Sequence, residues 1–124
     1  MKTVVITICS REKRQDKGLL PTYERYLGEH VKIAKDEAEK IKQDLYILSG
    51  LYGLIPADQK IPYYDYFLEQ KAVQSLTEKV KGQLKTESIG EIIFYTKPKW
   101  TTYNQVITDA AKELGINLKV EKLK

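Results

Sequence analysis

The stretch ILSGLYGLIPADQKIPYYDYFLE, from Ile47 to Glu69, begins as a short apolar strand and ends where a helical pattern starts. Between those points it holds two glycines, two prolines and four tyrosines, a mixture of turn-forming and aromatic residues. A strand that leads through a loop into a helix is half of a β-α-β unit. The rest of the chain repeats this order, and the repetition decides the fold.

Apolar periodicity predicts four strands and three helices. The strands cover residues 3–8, 45–48, 91–96 and 117–123, and the helices cover residues 22–42, the stripe Leu68, Ala72, Leu76, Val80 and Leu84, and a third segment that follows Trp100. Thr102 and Gln105 have the spacing of a capping box at the start of that third helix. Gly115 stands where a left-handed C-terminal cap is expected.

The alternation predicts a single α/β domain over residues 1–124, built as a three-layer αβα sandwich around a mainly parallel sheet. The same alternation implies right-handed crossovers, and we favour a four-stranded, Rossmann-like sheet of strand order 2-1-3-4. This order places a switch point between strands one and three.

Composition excludes several classes of protein. No apolar run is long enough to cross a bilayer, and the N-terminus lacks a signal peptide, so we expect a cytoplasmic protein. One cysteine, Cys9, and one histidine, His30, provide neither an internal disulfide nor a metal-ligand cluster, and we predict no metal or other cofactor. The net charge of +4 is compatible with a polyanionic partner.

Ligands of an open parallel sheet bind outside the carboxyl ends of its strands. Here those ends lead into three loops, residues 9–20, 49–65 and 97–100. Arg11 and Lys97 stand among several basic residues of the first and third loops, and helix N-termini at the same edge also favour anions. The pattern predicts a phosphate or carboxylate site, with solvated surface charges as the alternative.

Cys9 and Ser10 close the first strand. A phosphatase loop of the Cys-x5-Arg type requires arginine at position 15, where this chain has Gln15, so that chemistry is rejected. We interpret Cys9 as a small buried residue and Ser10 as a hydroxyl or backbone contact to a ligand.

Ser49, Gly50, Tyr52 and Gly53 belong to a turn that matches neither a Walker loop nor a dinucleotide fingerprint. Its two glycines allow backbone N–H groups to approach a ligand closely. The alternative is a tight turn where the strand leaves the sheet.

Three carboxylates follow this turn. Asp58 and Asp65 are the candidates for a general base acting on water or a sugar hydroxyl, and Glu69 is a candidate ligand contact. The alternatives are a turn cap for Asp58, a helix N-cap for Asp65 and a solvent-facing carboxylate for Glu69.

Aromatic side chains surround the same loops. Tyr52, Tyr63, Tyr64 and Trp100 are candidates to stack on a base, and cover for the sheet edge is the alternative. His30 lies among charged residues of the first predicted helix, where we expect a surface role.

The sequence LSGLYG at residues 48–53, followed by Pro56, Asp58, Pro62-Tyr63 and Leu68-Glu69, resembles the YaaA-type peroxide-stress family and its shorter relatives. The resemblance covers about a fifth of the chain. It implies a compact α/β domain, a uracil-DNA-glycosylase-like fold and a nucleic-acid or nucleobase setting. Related short proteins read Pro-Tyr-Asp, whereas Tyr64 is inserted here before Asp65.

Our leading hypothesis is a nucleotide, nucleobase or nucleic-acid pocket over the strand ends, with hydrolysis or transfer at an N-glycosidic bond as the first reaction class to test. A non-catalytic DNA- or RNA-binding module that uses the basic rim is the second hypothesis. A small protein-interaction domain is the third.

Overall fold

A computed structural model describes residues 2–124, which form seven strands and four α-helices. In chain order the elements are β1 Lys2–Ile8, β2 Leu20–Pro21, α1 Thr22–Arg25, α2 Glu29–Lys40, β3 Asp44–Ser49, β4 Gly53–Pro56, β5 Lys60–Ile61, α3 Val73–Thr86, β6 Ile89–Thr96, α4 Thr101–Leu114 and β7 Asn117–Lys122. None of the helices within residues 2–124 has the length and apolar content that crossing a membrane requires.

The main sheet has five strands in the order β4-β3-β1-β6-β7. The pairs β3–β1, β1–β6 and β6–β7 are parallel, so the predicted α/β class and the order 2-1-3-4 of the four predicted strands are confirmed. The fifth strand, β4, is antiparallel to β3 and was not predicted. The chain reverses into it at Gly53, whose φ of 77° lies in the left-handed region that glycine enters without steric strain.

Helices cover both faces of the sheet and make three layers. Because side chains alternate along a strand, Val5 of β1 packs in one core cluster with Val31 and Ala34 of α2. Val4 and Ile6 point to the other face and share a second cluster with apolar residues of α3 and α4. The sheet is therefore buried between α2 on one side and the pair α3 and α4 on the other.

The single helix predicted over residues 22–42 is wrong, because an extended segment separates α1 from α2. Tyr26 forms an isolated antiparallel bridge with Lys13, and the Leu27 N–H donates to the Glu12 carbonyl oxygen at 3.0 Å. Backbone hydrogen bonds to the first loop thus replace the helical ones. A periodicity argument within residues 22–42 does not include that partner.

Arg25, the last residue of α1, is a fully buried cation. Its guanidinium donates four hydrogen bonds to backbone carbonyl oxygens, those of Arg14 at 2.7 Å, Asp16 at 3.1 Å, Gly18 at 2.8 Å and Ile61 at 3.1 Å. Hydrogen bonds from a charged donor are stronger than neutral ones. Arg25 therefore fixes the first loop and β5 onto α1.

Two predicted helix starts need correction. A 3-10 turn, Gln70–Ala72, leads into α3, so Asp65 lies five residues before the first helical turn and is not an N-cap. Helix α4 begins at Thr101, one residue before the predicted Thr102, and no side-chain hydrogen bond caps it, so the capping box is not formed. The predicted C-terminal cap is confirmed, since Gly115 has a φ of 68°.

The outer edge of β4 is closed by the fold itself. The Leu54 N–H donates to Oε1 of Gln83 on α3 at 2.8 Å, and the Gln83 amide donates back to the Leu54 carbonyl oxygen at 3.0 Å. Pro56 has no N–H to offer, and its carbonyl oxygen accepts from the Gln59 N–H at 3.0 Å. A blocked edge of this kind prevents pairing with another strand.

Candidate functional site

A cleft of about 550 Å³ lies at the carboxyl ends of β1 and β6, the switch point that the strand order creates. We call it the switch-point cleft. It is lined by Ile8, Cys9, Ser10, Arg11, Lys13, Asp65, Tyr66, Phe67, Lys99, Trp100 and Tyr103. Three chain segments, which follow β1, precede α3 and follow β6, therefore meet at this point.

The cleft combines positive charge with aromatic surface. Arg11, Lys13 and Lys99 are its cations, and Asp65 is its one carboxylate. The Arg11 guanidinium lies 5.6 Å from the centre of the Phe67 ring, a cation–π distance. Phe67 is 64% exposed, so its ring is open to a ligand.

Cys9 lies at the base of the cleft, where its Sγ is 3.7 Å from the Tyr103 hydroxyl. It packs against both core clusters, and burial raises the pKa of its thiol. Burial likewise raises the pKa of Tyr103. Cys9 is half-buried, whereas the sequence suggested a small buried residue, and a protonated thiol is a poor nucleophile.

Ser10 lines the cleft, but its hydroxyl is engaged within the protein. Its Oγ donates to the Glu12 carbonyl oxygen at 2.7 Å and accepts from the Gly28 N–H at 3.1 Å. These two bonds hold the first loop against the start of α2. The ligand contact predicted for Ser10 stays a prediction.

Ser49 is fully buried and organises the turn after β3. Its Oγ accepts from the Leu51 and Tyr52 N–H groups at 3.1 and 3.2 Å and lies 2.8 Å from the Tyr64 hydroxyl, which also bonds the Tyr26 hydroxyl. Burial raises the pKa of Tyr64 to about 12. This hydroxyl chain fixes the turn on the α1 side of the sheet.

Gly50 lies at a close approach between the turn and neighbouring side chains. A Cβ at this position would lie 3.0 Å from the Leu68 Cβ and 3.1 Å from the Tyr103 hydroxyl. The turn therefore presses directly on the segment that carries Asp65 to the cleft. Gly53 serves the chain reversal already described, so both glycines have structural roles.

The structure separates several predicted site residues from Ser10, Arg11 and Asp65, which it brings together in the cleft. Tyr52 contacts the Tyr64 ring with centroids 5.2 Å apart and lines a groove of about 790 Å³ along β4. That groove is larger than the switch-point cleft, but it runs beside an edge strand and not over the carboxyl ends of the parallel strands.

Asp58 lies at the opposite end of the sheet. It lines a groove of about 340 Å³ with Asp44, the first residue of β3. The expected grouping of Asp58 with the carboxyl-end loops is wrong, because β4 runs antiparallel and returns the chain to that end. The Ala57 N–H accordingly donates to the Leu45 carbonyl oxygen at 2.9 Å.

Three further predicted site residues do not line the switch-point cleft: Tyr63, Glu69 and Lys97. Tyr63 is 43% exposed, and Glu69 pairs with Lys71 at 3.3 Å on the surface. The Lys97 ammonium lies 5.6 Å from the centre of the Trp100 ring, beside the cleft.

His30 corrects the expectation of a surface role. Its Nε2 lies 2.6 Å from the Ile8 carbonyl oxygen, and its ring centre is 4.8 Å from that of Trp100. Desolvation lowers the pKa of this half-buried imidazole. His30 thus supports Trp100 from behind the cleft.

Sequence reasoning missed Tyr66 and Phe67 as cleft residues, because the segment was assigned to the start of a helix. The usable signal was the run of aromatic residues between Pro62 and Leu68, which has neither strand alternation nor helical spacing. Within residues 2–124, no group of three or more His, Cys, Asp or Glu side chains is placed to hold a metal ion.

The chain belongs to a family of unknown function, DUF6884, whose sequence model matches residues 4–123. No curated protein and no solved structure matches the chain. The family match covers nearly the whole α/β fold, including every residue that lines the cleft. It shows no link to the YaaA-type peroxide-stress family.

Proposed function

We propose that the switch-point cleft binds a nucleotide. The observation that supports this proposal is the combination, in one cleft, of three cations with four aromatic side chains and a single carboxylate. A cavity of about 550 Å³ falls within the size range of small-molecule sites.

The phosphate group is assigned to Arg11 and Lys99, two cations that line the cleft. The fourteen-residue helix α4 begins directly after Lys99 and Trp100, and Tyr103 of its first turn lines the cleft. Free N–H groups at a helix start and nearby cations together favour a phosphate.

The base is assigned to the aromatic side of the cleft. Phe67 and Tyr66 are 64% and 40% exposed, which leaves ring surface available for stacking. Stacking on an aromatic side chain contributes roughly 1–3 kcal/mol per base and tolerates any base. We therefore expect a preference for nucleotides over inorganic phosphate, with little discrimination among bases from stacking alone.

Asp65 is the proposed general acid–base residue. Hydrolysis of an N-glycosidic bond is the reaction class to test first. In that reaction Asp65 would accept a proton from the attacking water. The new C–O bond forms at the anomeric carbon as the C–N bond breaks. The proton that Asp65 took from the water passes to the departing nitrogen, so the base leaves in its neutral form and Asp65 returns to its carboxylate form. The products are the free base and the sugar phosphate.

The test is isothermal titration of the native protein with nucleoside monophosphates, nucleosides, inorganic phosphate and a short oligonucleotide. We expect the monophosphates to bind best and Arg11→Ala or Lys99→Ala to weaken them about tenfold, the loss of one charge-assisted contact. Lys32→Ala, on the exposed surface of α2, is the matched control and should bind normally.

Two results would contradict the proposal. Binding of none of these ligands removes the nucleotide site. Binding of the oligonucleotide alone, with affinity falling steeply as salt rises, identifies instead a nucleic-acid-binding module that contacts the phosphate backbone.

Asp65→Asn should abolish base release while leaving monophosphate affinity within about threefold.

A further inference from the structure

The edge strand β7 carries unused backbone hydrogen-bonding groups. The Leu123 N–H donates to the Thr96 carbonyl oxygen at 2.9 Å, and β7 pairs in parallel with β6 throughout. Because backbone groups alternate in direction along a strand, the odd-numbered residues bond β6. The N–H and C=O groups of Leu118, Val120 and Lys122 therefore point away from the sheet.

The two edges of the sheet are thus treated differently. Gln83 and Pro56 block the β4 edge, whereas Val120, at the middle of the β7 edge, is 49% exposed. An unblocked edge strand is a template for pairing with another strand.

The side chains of β7 are complementary to a second copy of the same strand. In antiparallel pairing about a two-fold axis at Val120, Leu118 lies opposite Lys122, and Lys119 lies opposite Glu121. Each opposition occurs twice because of the symmetry. All the outward backbone groups of the two strands then face one another as hydrogen-bonded pairs.

Charge selects this register over its neighbours. Two neighbouring registers also keep the outward backbone groups facing each other, and each shifts one strand by two residues along the other. A shift in one direction places Lys119 opposite Lys119 of the partner copy. A shift in the other direction places Glu121 opposite Glu121. Like charges directly opposite each other are destabilising, whereas opposite charges are stabilising. Within one copy Lys119 and Glu121 pair along their own strand, at 3.4 Å on an exposed surface.

We propose that β7 pairs with β7 of a second copy of this chain. The two five-stranded sheets then form one continuous sheet, with an antiparallel β7–β7 pair at the two-fold axis of the dimer. The contact is one short strand wide, so it belongs with small, weak interfaces. The dimer therefore dissociates on dilution.

Sedimentation velocity over a concentration series tests the proposal. The native protein is expected to show a monomer–dimer equilibrium. Lys119→Glu or Glu121→Lys, each of which turns both oppositions into repulsions, should weaken association at least about tenfold. An equimolar mixture of these two variants should associate again, because every opposition in the mixed dimer is attractive.

Val120→Pro provides an independent variant. The Val120 N–H points away from β6, so proline removes no bond within the chain. It removes both central bonds of the dimer, one from each copy, and proline is tolerated on edge strands. Circular dichroism checks that each variant is folded. A native protein that stays monomeric up to about 1 mM overturns the proposal. A mixture that associates no better than its two components also overturns it.

Discussion

The side-chain amide of Gln83 bonds both backbone groups of Leu54, accepting from its N–H at 2.8 Å and donating to its carbonyl oxygen at 3.0 Å. A glutamine on α3 thereby takes the place of a neighbouring strand at the edge of the sheet. The arrangement ties the unpredicted strand β4 to the helix layer and completes the hydrogen bonding of its central residue.

Replacing Gln83 should therefore destabilise the fold. Gln83→Ala removes both bonds and should lower the free energy of unfolding by about 1–2 kcal/mol. Gln74→Ala on the same helix is the matched control, because the Gln74 amide donates only to the exposed Glu78 side chain. The control should change stability by less than about 0.5 kcal/mol. Urea denaturation measures both, and equal losses would show that the bonds to Leu54 carry no stability.

Two glycine substitutions should change stability in opposite directions. Gly50→Ala forces a methyl group against Leu68 and Tyr103, and overpacking of this kind costs about 1–3 kcal/mol. Gly82→Ala lies in α3 with nothing within 4 Å of the added carbon, and it should stabilise the helix by about 0.5–1 kcal/mol. Thermal unfolding of the two variants gives the signs, and a stabilised Gly50→Ala protein would exclude the close approach.

Tyr64 should make the fold sensitive to alkaline pH. Burial raises the pKa of its hydroxyl from 10.0 to about 12, so the folded state holds the proton more tightly than the unfolded state. The stability that this preference contributes is complete below pH 10 and is lost as the pH rises to about 12. The unfolding free energy of the native protein should therefore fall more steeply over this interval than that of Tyr64→Phe. Parallel slopes in denaturation measured across the interval would contradict the assignment.

The parallel part of the sheet could be predicted from sequence because its signal is local. Runs such as Thr3 to Ile8 are apolar on both faces, as strands buried between helix layers must be, and the apolar stripe Leu76, Val80 and Leu84 marks the buried side of α3. Right-handed crossovers are compatible with several strand orders, so the order 2-1-3-4 was a choice among them that the sheet confirms.

The errors share a different cause, which is dependence on distant partners. The helix breaks at Tyr26 because residues 12–13 supply hydrogen bonds, and Asp58 leaves the carboxyl-end loops because β4 pairs backwards along β3. Neither partner is visible in a short window of sequence. The burial of Arg25 was missed for the same reason, since its acceptors lie on two other segments.

Predicted site residues lie together where the prediction relied on topology, and they lie apart where it relied on closeness along the chain. Ser10, Arg11 and Asp65 meet because the ends of β1 and β6 are neighbours, and the segment before α3 crosses above them. Tyr52 belongs to the same stretch of sequence as Asp65, but its ring packs on Tyr64 and lines the groove along β4.

The acceptors of Arg25 are all main-chain oxygens. The hydrogen bonds of Arg25 therefore depend on the course of the main chain at residues 14–18 and not on which side chains these residues carry. Substitutions of the side chains at residues 14–17 leave these acceptors in place, whereas Gly18 has a φ of 84°, a conformation that favours glycine. One buried cation thus holds the course of the loop through oxygens that every type of amino acid supplies.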